Sequence, residues 1–254
     1  MDHRLSIITV VKDDLPGFRR TLASLAASSS KALDDSEWIV VDSSAQSEAI
    51  PRAVQEAPVS RQLIWTPPEG VFEAMNAGLA MASGDYVYFL NAGDVLHSAA
   101  SLSAIHAGLN ETSPTWLYGQ VAFVDQLGVL TVPPRFNYFK EERALFARGR
   151  FPPHQGTVVS RRVLVELGGF DVRYRIAADY ALVLRLSQMS APTEMTEVIA
   201  VFAVGGLSQM QWRDSVREFH AARQDIFTPR GSIRVKETLY TARQALLLWA
   251  NSLR

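Results

Sequence analysis

At 254 residues, with 48% apolar and 20% charged side chains, the chain has the size and composition of one large globular domain, or of one domain with an appendage. Its net charge of −1 gives no electrostatic case for nucleic-acid binding. It has no cysteine, which excludes disulfides, thiolate metal sites and a cysteine nucleophile.

The first hundred residues alternate strand and helix signals. Leu5 to Val11 is a continuous run rich in β-branched residues, as expected of a strand buried on both faces of a parallel sheet. Pro16 opens a helix with Phe18, Leu22 and Leu25 on one face. Ser28-Ser29-Ser30 reads as a loop. Trp38 to Val41 is a second strand ending at Asp42, a short helix covers Glu48 to Val54, and Gln62 to Trp65 is a third strand. Val71 to Met81 is helical, Ser83-Gly84-Asp85 breaks it, and Tyr86 to Leu90 is a fourth strand stopping at Asn91-Ala92-Gly93-Asp94. This rhythm predicts right-handed crossovers and an α/β fold with an open, mostly parallel sheet.

Beyond Asp94 the pattern is less regular. Ala99 to Leu109 reads as helix, Trp116 to Val124 as strand, and Leu130 to Phe139 as a strand or loop interrupted by proline. Arg161 to Leu167 is a helix stopped by Gly168-Gly169, Asp179 to Met189 another, and Val198 to Val204 a last strand. From Gln211 the chain is helical and basic, with eight Lys or Arg against four Asp or Glu between Trp212 and Arg254. The expected organisation is a domain over 1–210, divided into a nucleotide-binding half (1–95) and an acceptor half (96–210), followed by a helical extension over 211–254.

Polar residues gather at the carboxyl ends of the first four strands: Asp13 and Asp14, Asp42, then Asn91 and Asp94. Ligands of open α/β sheets bind just outside those ends. Neither a GxGxxG fingerprint nor a P-loop follows the first strand, so phosphates are expected to be held through a metal ion.

Several pieces occur in a characteristic order: Ile8-Thr9-Val10-Val11-Lys12-Asp13-Asp14 with Arg20-Thr21-Leu22; Glu37 to Asp42; Gly70-Val71-Phe72-Glu73-Ala74-Met75-Asn76-Ala77-Gly78; Gly84 to Asp94; Pro153-His154-Gln155; Gly169-Phe170-Asp171; Ala178-Asp179-Tyr180; and Val204 to Ser208. In this the chain resembles family 2 glycosyltransferases of the GT-A fold, especially the small bacterial branch acting in polysaccharide and glycolipid assembly. It departs from the family in Ser43-Ser44-Ala45-Gln46-Ser47 after Asp42, in Pro68-Glu69 before Gly70, and in a metal motif reduced to Asn91-Ala92-Gly93-Asp94.

The resemblance implies an inverting transfer of sugar from a nucleotide-diphosphate donor, UDP-linked by preference, to a hydroxyl of a glycan or lipid-linked acceptor. It implies a divalent metal, Mn²⁺ or Mg²⁺, held by Asp94 with His154 nearby. A hard cation of this kind takes one or two carboxylates plus substrate phosphates. Capping of the next helix is the structural alternative for Asp94. Asp179 matches the base that takes the acceptor proton; its alternative is the N-cap of its own helix. Asp42 is implied to bind the base, or forms an Asx-turn. Val11 and Asp13 border the base, though Asp13 or Asp14 also suits the cap of the helix opened by Pro16. Glu69, Asn76, Asn91, Ala92 and Gly93 complete the donor-side candidates, with turn formation as the alternative for Asn91. His3, His97, His106 and His220 read as surface or packing residues.

The basic tail, with Leu239, Leu246, Leu247, Leu248 and Trp249, is expected to pack on the core or at a dimer contact; a helix lying on an anionic membrane is the other reading. The N-terminus lacks a signal-peptide pattern and no apolar run has membrane-spanning length, so a cytoplasmic protein, peripheral at the inner membrane face if the tail binds lipid, is the expectation. Two other functions compete. A sugar-phosphate nucleotidyltransferase would need a Gly-rich basic stretch after the first strand, which Val11-Lys12-Asp13-Asp14 lacks. A non-catalytic sugar-nucleotide-binding protein would need no base at Asp179.

Overall fold

The computed structural model describes residues 4–45, 48–55, 57, 60–125, 127–138, 151–203 and 211–252. The apolar runs of the first part become β1 (Leu5–Val11), β2 (Ser36–Asp42), β3 (Ser60–Trp65) and β4 (Tyr86–Phe89). Between them lie α1 (Leu15–Ala26), α2 (Ser30–Asp34), α3 (Ala49–Gln55) and α4 (Val71–Met81). Ser28 to Ser30 is therefore not a plain loop: the Ser29 hydroxyl accepts from Ala32 N–H and caps α2. The second part holds β5 (Val95–Leu96), α5 (Ser101–Thr112), β6 (Trp116–Val124), β7 (Leu130–Thr131), β8 (Thr157–Ser160), α6 (Arg161–Glu166), α7 (Ala178–Met189) and β9 (Thr193–Ala203). The tail forms α8 (Trp212–Phe227) and α9 (Gly231–Ser252), divided at Thr228, whose φ of 44° ends the first helix. The candidate motif at 204–208, Gln46, Ser47 and His3 lie outside the described residues.

The sheet runs β3-β2-β1-β4-β8-β6-β9-β5, with β7 on β6. β1 pairs in parallel with β2 and β4, and β2 with β3, as the alternating pattern requires. Beyond β4 the sheet is mixed: β8 is antiparallel to both β4 and β6, while β9 is parallel to β6. β1 is buried along its whole length, sending Ile8 and Val10 into one apolar layer and Leu5, Ile7 and Val11 into the other. Polar Thr9 survives between them because its hydroxyl donates to Leu90 O (2.7 Å) and accepts from Trp38 Nε1 (2.9 Å).

The expected extension beyond 211 shares the core of what precedes it. Phe219 of α8 stacks on Tyr180 of α7 at 4.5 Å between ring centroids, Ala222 is fully buried, and the Tyr174 hydroxyl donates to Asp225 (2.6 Å). Arg223, also buried, anchors α9 by donating to Glu237 (2.8 Å) and Thr241 (2.9 Å). Among the described residues, no helix is long and apolar enough to cross a membrane.

Candidate active site

The site is built where β1, β2 and β4 end. After β4 the chain keeps its parallel pairing for two more bonds, Leu90 N–H to Ile8 O (2.9 Å) and Ala92 N–H to Val10 O (3.0 Å), then turns back. Asp94 N–H donates to Asn91 O (2.9 Å), and Gly93 sits at φ +95°, a conformation costly for a residue with a Cβ. Thr21 of α1 pins the turn: its hydroxyl donates to Asp94 O (2.7 Å) and accepts from Gly93 N–H (3.1 Å).

This holds the Asp94 carboxylate in a buried position, 9% exposed. Burial pushes its pKa up to about 6, although the nearby His154 ring and hydrogen bonds from Gln155 and the Asn91 backbone pull the other way. No lysine or arginine among the described residues contributes to holding its charge. The capping alternative is not realised, because the N-cap of α5 is Ala100.

His154 opens a short 3-10 turn, His154–Gly156, entered from extended Pro153. The Asn91 amide is oriented by Val10 N–H, which donates to its Oδ1 (3.4 Å), so that Nδ2 faces His154 Nε2, also at 3.4 Å. An N–H directed at Nε2 leaves the ring proton on Nδ1. Nδ1 is buried without a hydrogen bond, and its nearest carboxylate is Asp179 Oδ2 at 3.6 Å. Asn91, His154 and Asp179 thus form one row, with Asp94 beside it.

Asp179 is one residue inside α7, whose N-cap is Ala177, and its Oδ1 accepts from Tyr180 N–H (2.7 Å), so one oxygen serves the first turn and Oδ2 is left facing His154. The backbone entering the helix is held by a residue from the tail. Glu218 of α8 accepts from Arg175 N–H (3.2 Å), Ile176 N–H (2.8 Å) and Ala177 N–H (3.0 Å), the groups that lead into the helix bearing Asp179. In sequence Glu218 is one carboxylate among the tail charges, with no local signal of this role.

The remaining candidates divide. Asp14 is the α1 cap, accepting from Gly17 N–H (2.8 Å). Asp13 lies in the left-handed region at φ 53°, held by its N–H donating to Ser44 Oγ (2.8 Å) and its Oδ1 accepting from Ala45 N–H (3.1 Å). Asp42 is buried and accepts from Ser44 N–H (2.9 Å), the Asx-turn of the alternative reading. Val11 is buried with its carbonyl accepting from Ser43 N–H (2.8 Å). These four residues nonetheless share one edge, next to Trp65, which is 59% exposed with its indole N–H donating to Ser44 O (3.1 Å).

Asn76 is committed elsewhere. Its amide both donates to Phe170 O and accepts from Phe170 N–H, each at 2.8 Å, clamping α4 to the loop after α6. A Cβ at Gly169 would lie 2.3 Å from Asn76 Oδ1, so that glycine is required by the clamp. Glu69 is exposed and lines a small cleft with Arg175 and Ile176, across from the start of α7.

The donor set fits a divalent cation of the oxygen- and nitrogen-binding kind: a buried carboxylate that no lysine or arginine neutralises, and an imidazole whose Nε2 lone pair meets only the Asn91 amide. Among the described residues no group of three His, Asp or Glu side chains converges, so further ligands would have to come from substrate and water.

A sheet that ends in these carboxylates defines a class, the GT-A glycosyltransferases, and solved structures of that class superpose on it. A mannosyltransferase from Pyrobaculum calidifontis, determined with GDP-Man and Mn²⁺, gives a TM-score of 0.67 at 17% identity, covering 95% of this chain and 69% of its own. The Staphylococcus aureus protein TarS, residues 1–349 with UDP-GlcNAc, gives 0.67 at 14%, covering 96% and 71%. The profile of Glycosyl transferase family 2 matches residues 6–168, and the chain belongs to that family. A glycosyltransferase of Mycobacterium tuberculosis without a characterised role is 28% identical over 207 residues, 80% of this chain and 76% of the relative. A PGL/p-HBAD biosynthesis glycosyltransferase of Mycobacterium bovis is 30% identical over 186 residues, 68% of each. The family match includes Asp94 and His154 and stops short of Asp179.

Proposed function

We propose that this glycosyltransferase is an inverting enzyme that moves a sugar from a nucleotide-diphosphate donor, UDP-linked by preference, to a hydroxyl of a glycan or lipid-linked acceptor, with Asp179 as the base. The observation that carries the reading is the row Asn91, His154 and Asp179 beside the buried Asp94. The donor lies along the edge formed by Val11, Asp13, Asp42 and Asn91 to Gly93, where Trp65 offers an exposed ring face to the base. Glu69 lies in its own cleft with Arg175 and Ile176, near the start of the helix bearing Asp179, and Asn76 serves the site indirectly through its clamp on Phe170.

Asp94 and His154 would hold a divalent metal, Mn²⁺ or Mg²⁺, which would supply Lewis-acid stabilisation of the charge on the departing diphosphate. The acceptor oxygen attacks the anomeric carbon opposite the diphosphate and passes its proton to Asp179. His154 Nδ1 lies 3.6 Å from Asp179 Oδ2, where its proton disperses that carboxylate's charge, while Tyr180 N–H, donating to Asp179 Oδ1 (2.7 Å), orients it. The GDP-Man, UDP-GlcNAc and Mn²⁺ held by the structural neighbours support the donor class and the metal. Carboxylates poised for both metal and base favour catalysis over a purely binding module.

The tail adds a location. α9 turns Val235, Leu239, Leu246 and Leu247 outward, each half-exposed or more, and its acidic Glu237 is already taken by Arg223. Arg234, Lys236 and Arg243 are left beside those apolar side chains, which suits a helix lying on an anionic membrane face, close to lipid-linked acceptors. A homodimer through α9 is disfavoured by the same basic excess.

The direct experiment is a panel of UDP- and GDP-sugars with and without Mn²⁺, read by donor hydrolysis and thermal stabilisation. Metal-dependent turnover of one donor class is expected. Equal binding and turnover with a chelator present would remove the metal from the reading.

A further inference from the structure

Beside β6 lies a groove of about 280 Å³ that no part of the donor reading uses. Val121, Phe123, Phe136, Phe151 to Pro153 and Phe202 line it, the Phe202 ring 4.6 Å from that of Phe123. Arg135 also lines it and is engaged with Glu194 at 3.5 Å. The other polar side chains of the lining are Gln120 and Tyr118, the latter's hydroxyl already donating to Phe136 O (3.1 Å), so most hydroxyls of a glycan placed here would face aromatic and proline carbons without hydrogen-bond partners, which is costly.

The groove is continuous with the reacting centre. Pro153, part of its lining, directly precedes His154, and Phe151 packs on Tyr180 at 5.1 Å, next to Asp179. A hydroxyl delivered to Asp179 therefore has the groove as the path for the body to which it is attached. We propose that the groove holds the apolar, non-sugar part of the acceptor, an alkyl or aryl group one sugar or less away from the reacting hydroxyl. This rests on the transfer reading above and narrows its acceptor to amphiphilic molecules.

The test uses the full chain and matched methyl, octyl and phenyl glycosides of common monosaccharides, below micelle-forming concentration, with the donor found by the panel. Octyl and phenyl glycosides should exceed their methyl counterparts in kcat/KM by about tenfold to a hundredfold, as expected for burying a few methylene groups. Phe202→Gln, or Phe123→Gln should the first variant fold poorly, should erase that advantage and leave donor hydrolysis and methyl-glycoside transfer within about twofold. Equal use of all three glycosides by an active enzyme would overturn the groove while leaving the transfer reading intact. A binding measurement covers an inactive enzyme: the fluorescence of 4-methylumbelliferyl glucoside should report binding to the wild type and not to Phe202→Gln. Binding without turnover would keep the groove and sink the transfer reading, and no binding to either protein would sink the groove.

Discussion

Replacing Asp94 by asparagine should act in opposite directions with and without metal. A carboxyl that titrates near 6 instead of 3.8 weakens the ionised folded protein by about 3 kcal/mol at neutral pH. The sign follows from its raised folded pKa: between about pH 4 and 6 the native state keeps a proton that the unfolded chain has lost. Stability therefore falls as pH rises through that window and levels off above it. Asparagine carries no charge, keeps an oxygen to accept from Gln155, and escapes the penalty. At about 2–4 °C per kcal/mol for a chain of this size, metal-free Asp94→Asn should melt up to about 6–12 °C above wild type at pH 7.5. The advantage should fall to about half at pH 5. Adding Mn²⁺ and UDP at a hundred times the dissociation constant should raise the wild type by about 2.7 kcal/mol and leave the variant nearly unmoved. Differential scanning calorimetry with and without Mn²⁺ and UDP measures both arms. A metal-free variant no more stable than wild type would refute the buried-charge argument, and an equal response to Mn²⁺ and UDP would refute the metal role.

Asp179→Asn should bind donor and Mn²⁺ as wild type does while transferring sugar about a hundred- to ten-thousandfold more slowly, and single-turnover kinetics at wild-type-like rates would return this carboxylate to a structural role. Glu218→Gln keeps the shape but weakens three charge-assisted hydrogen bonds, so kcat should fall about tenfold with the KM for donor little changed; a loss of stability with kcat intact would mean that Glu218 only braces the fold. Truncation after Arg230 removes α9 and should abolish sedimentation with phosphatidylglycerol vesicles at unchanged donor hydrolysis. Truncation after Gln211 also removes Phe219, Ala222 and Glu218, and should yield no folded protein.

What could be read along the chain was local. A run such as Ile7 to Val11 has no polar interruption large enough to face water, so it had to be a strand covered on both sides, and Gly168-Gly169 ends α6 at positive φ because a side chain there would be strained. The same local logic placed Asp42, Asn91 and Asp94 at strand ends, and the ordered motifs pointed to the family that the comparisons show. Local logic left choices open wherever one residue type serves two purposes. Asp13 is drawn to Ala45, which leaves the α1 cap to Asp14, and the amide of Asn76 is committed to Phe170, because backbone groups from elsewhere in the fold meet the side chains of Asp13 and Asn76. The mixed second half of the sheet was not legible either, since an antiparallel β8 between β4 and β6 depends on which strands meet, and strand pairing is not encoded in the hydrophobic period of any one of them. The site itself is a tertiary product: Asn91, His154 and Asp179 converge from the turn after β4, a 3-10 turn and a helix start. The anchor of the backbone entering the helix that bears the base comes from Glu218, in a tail whose charges looked merely solvated. Only the packing of α8 against α7 brings that carboxylate to the N–H groups of Arg175, Ile176 and Ala177.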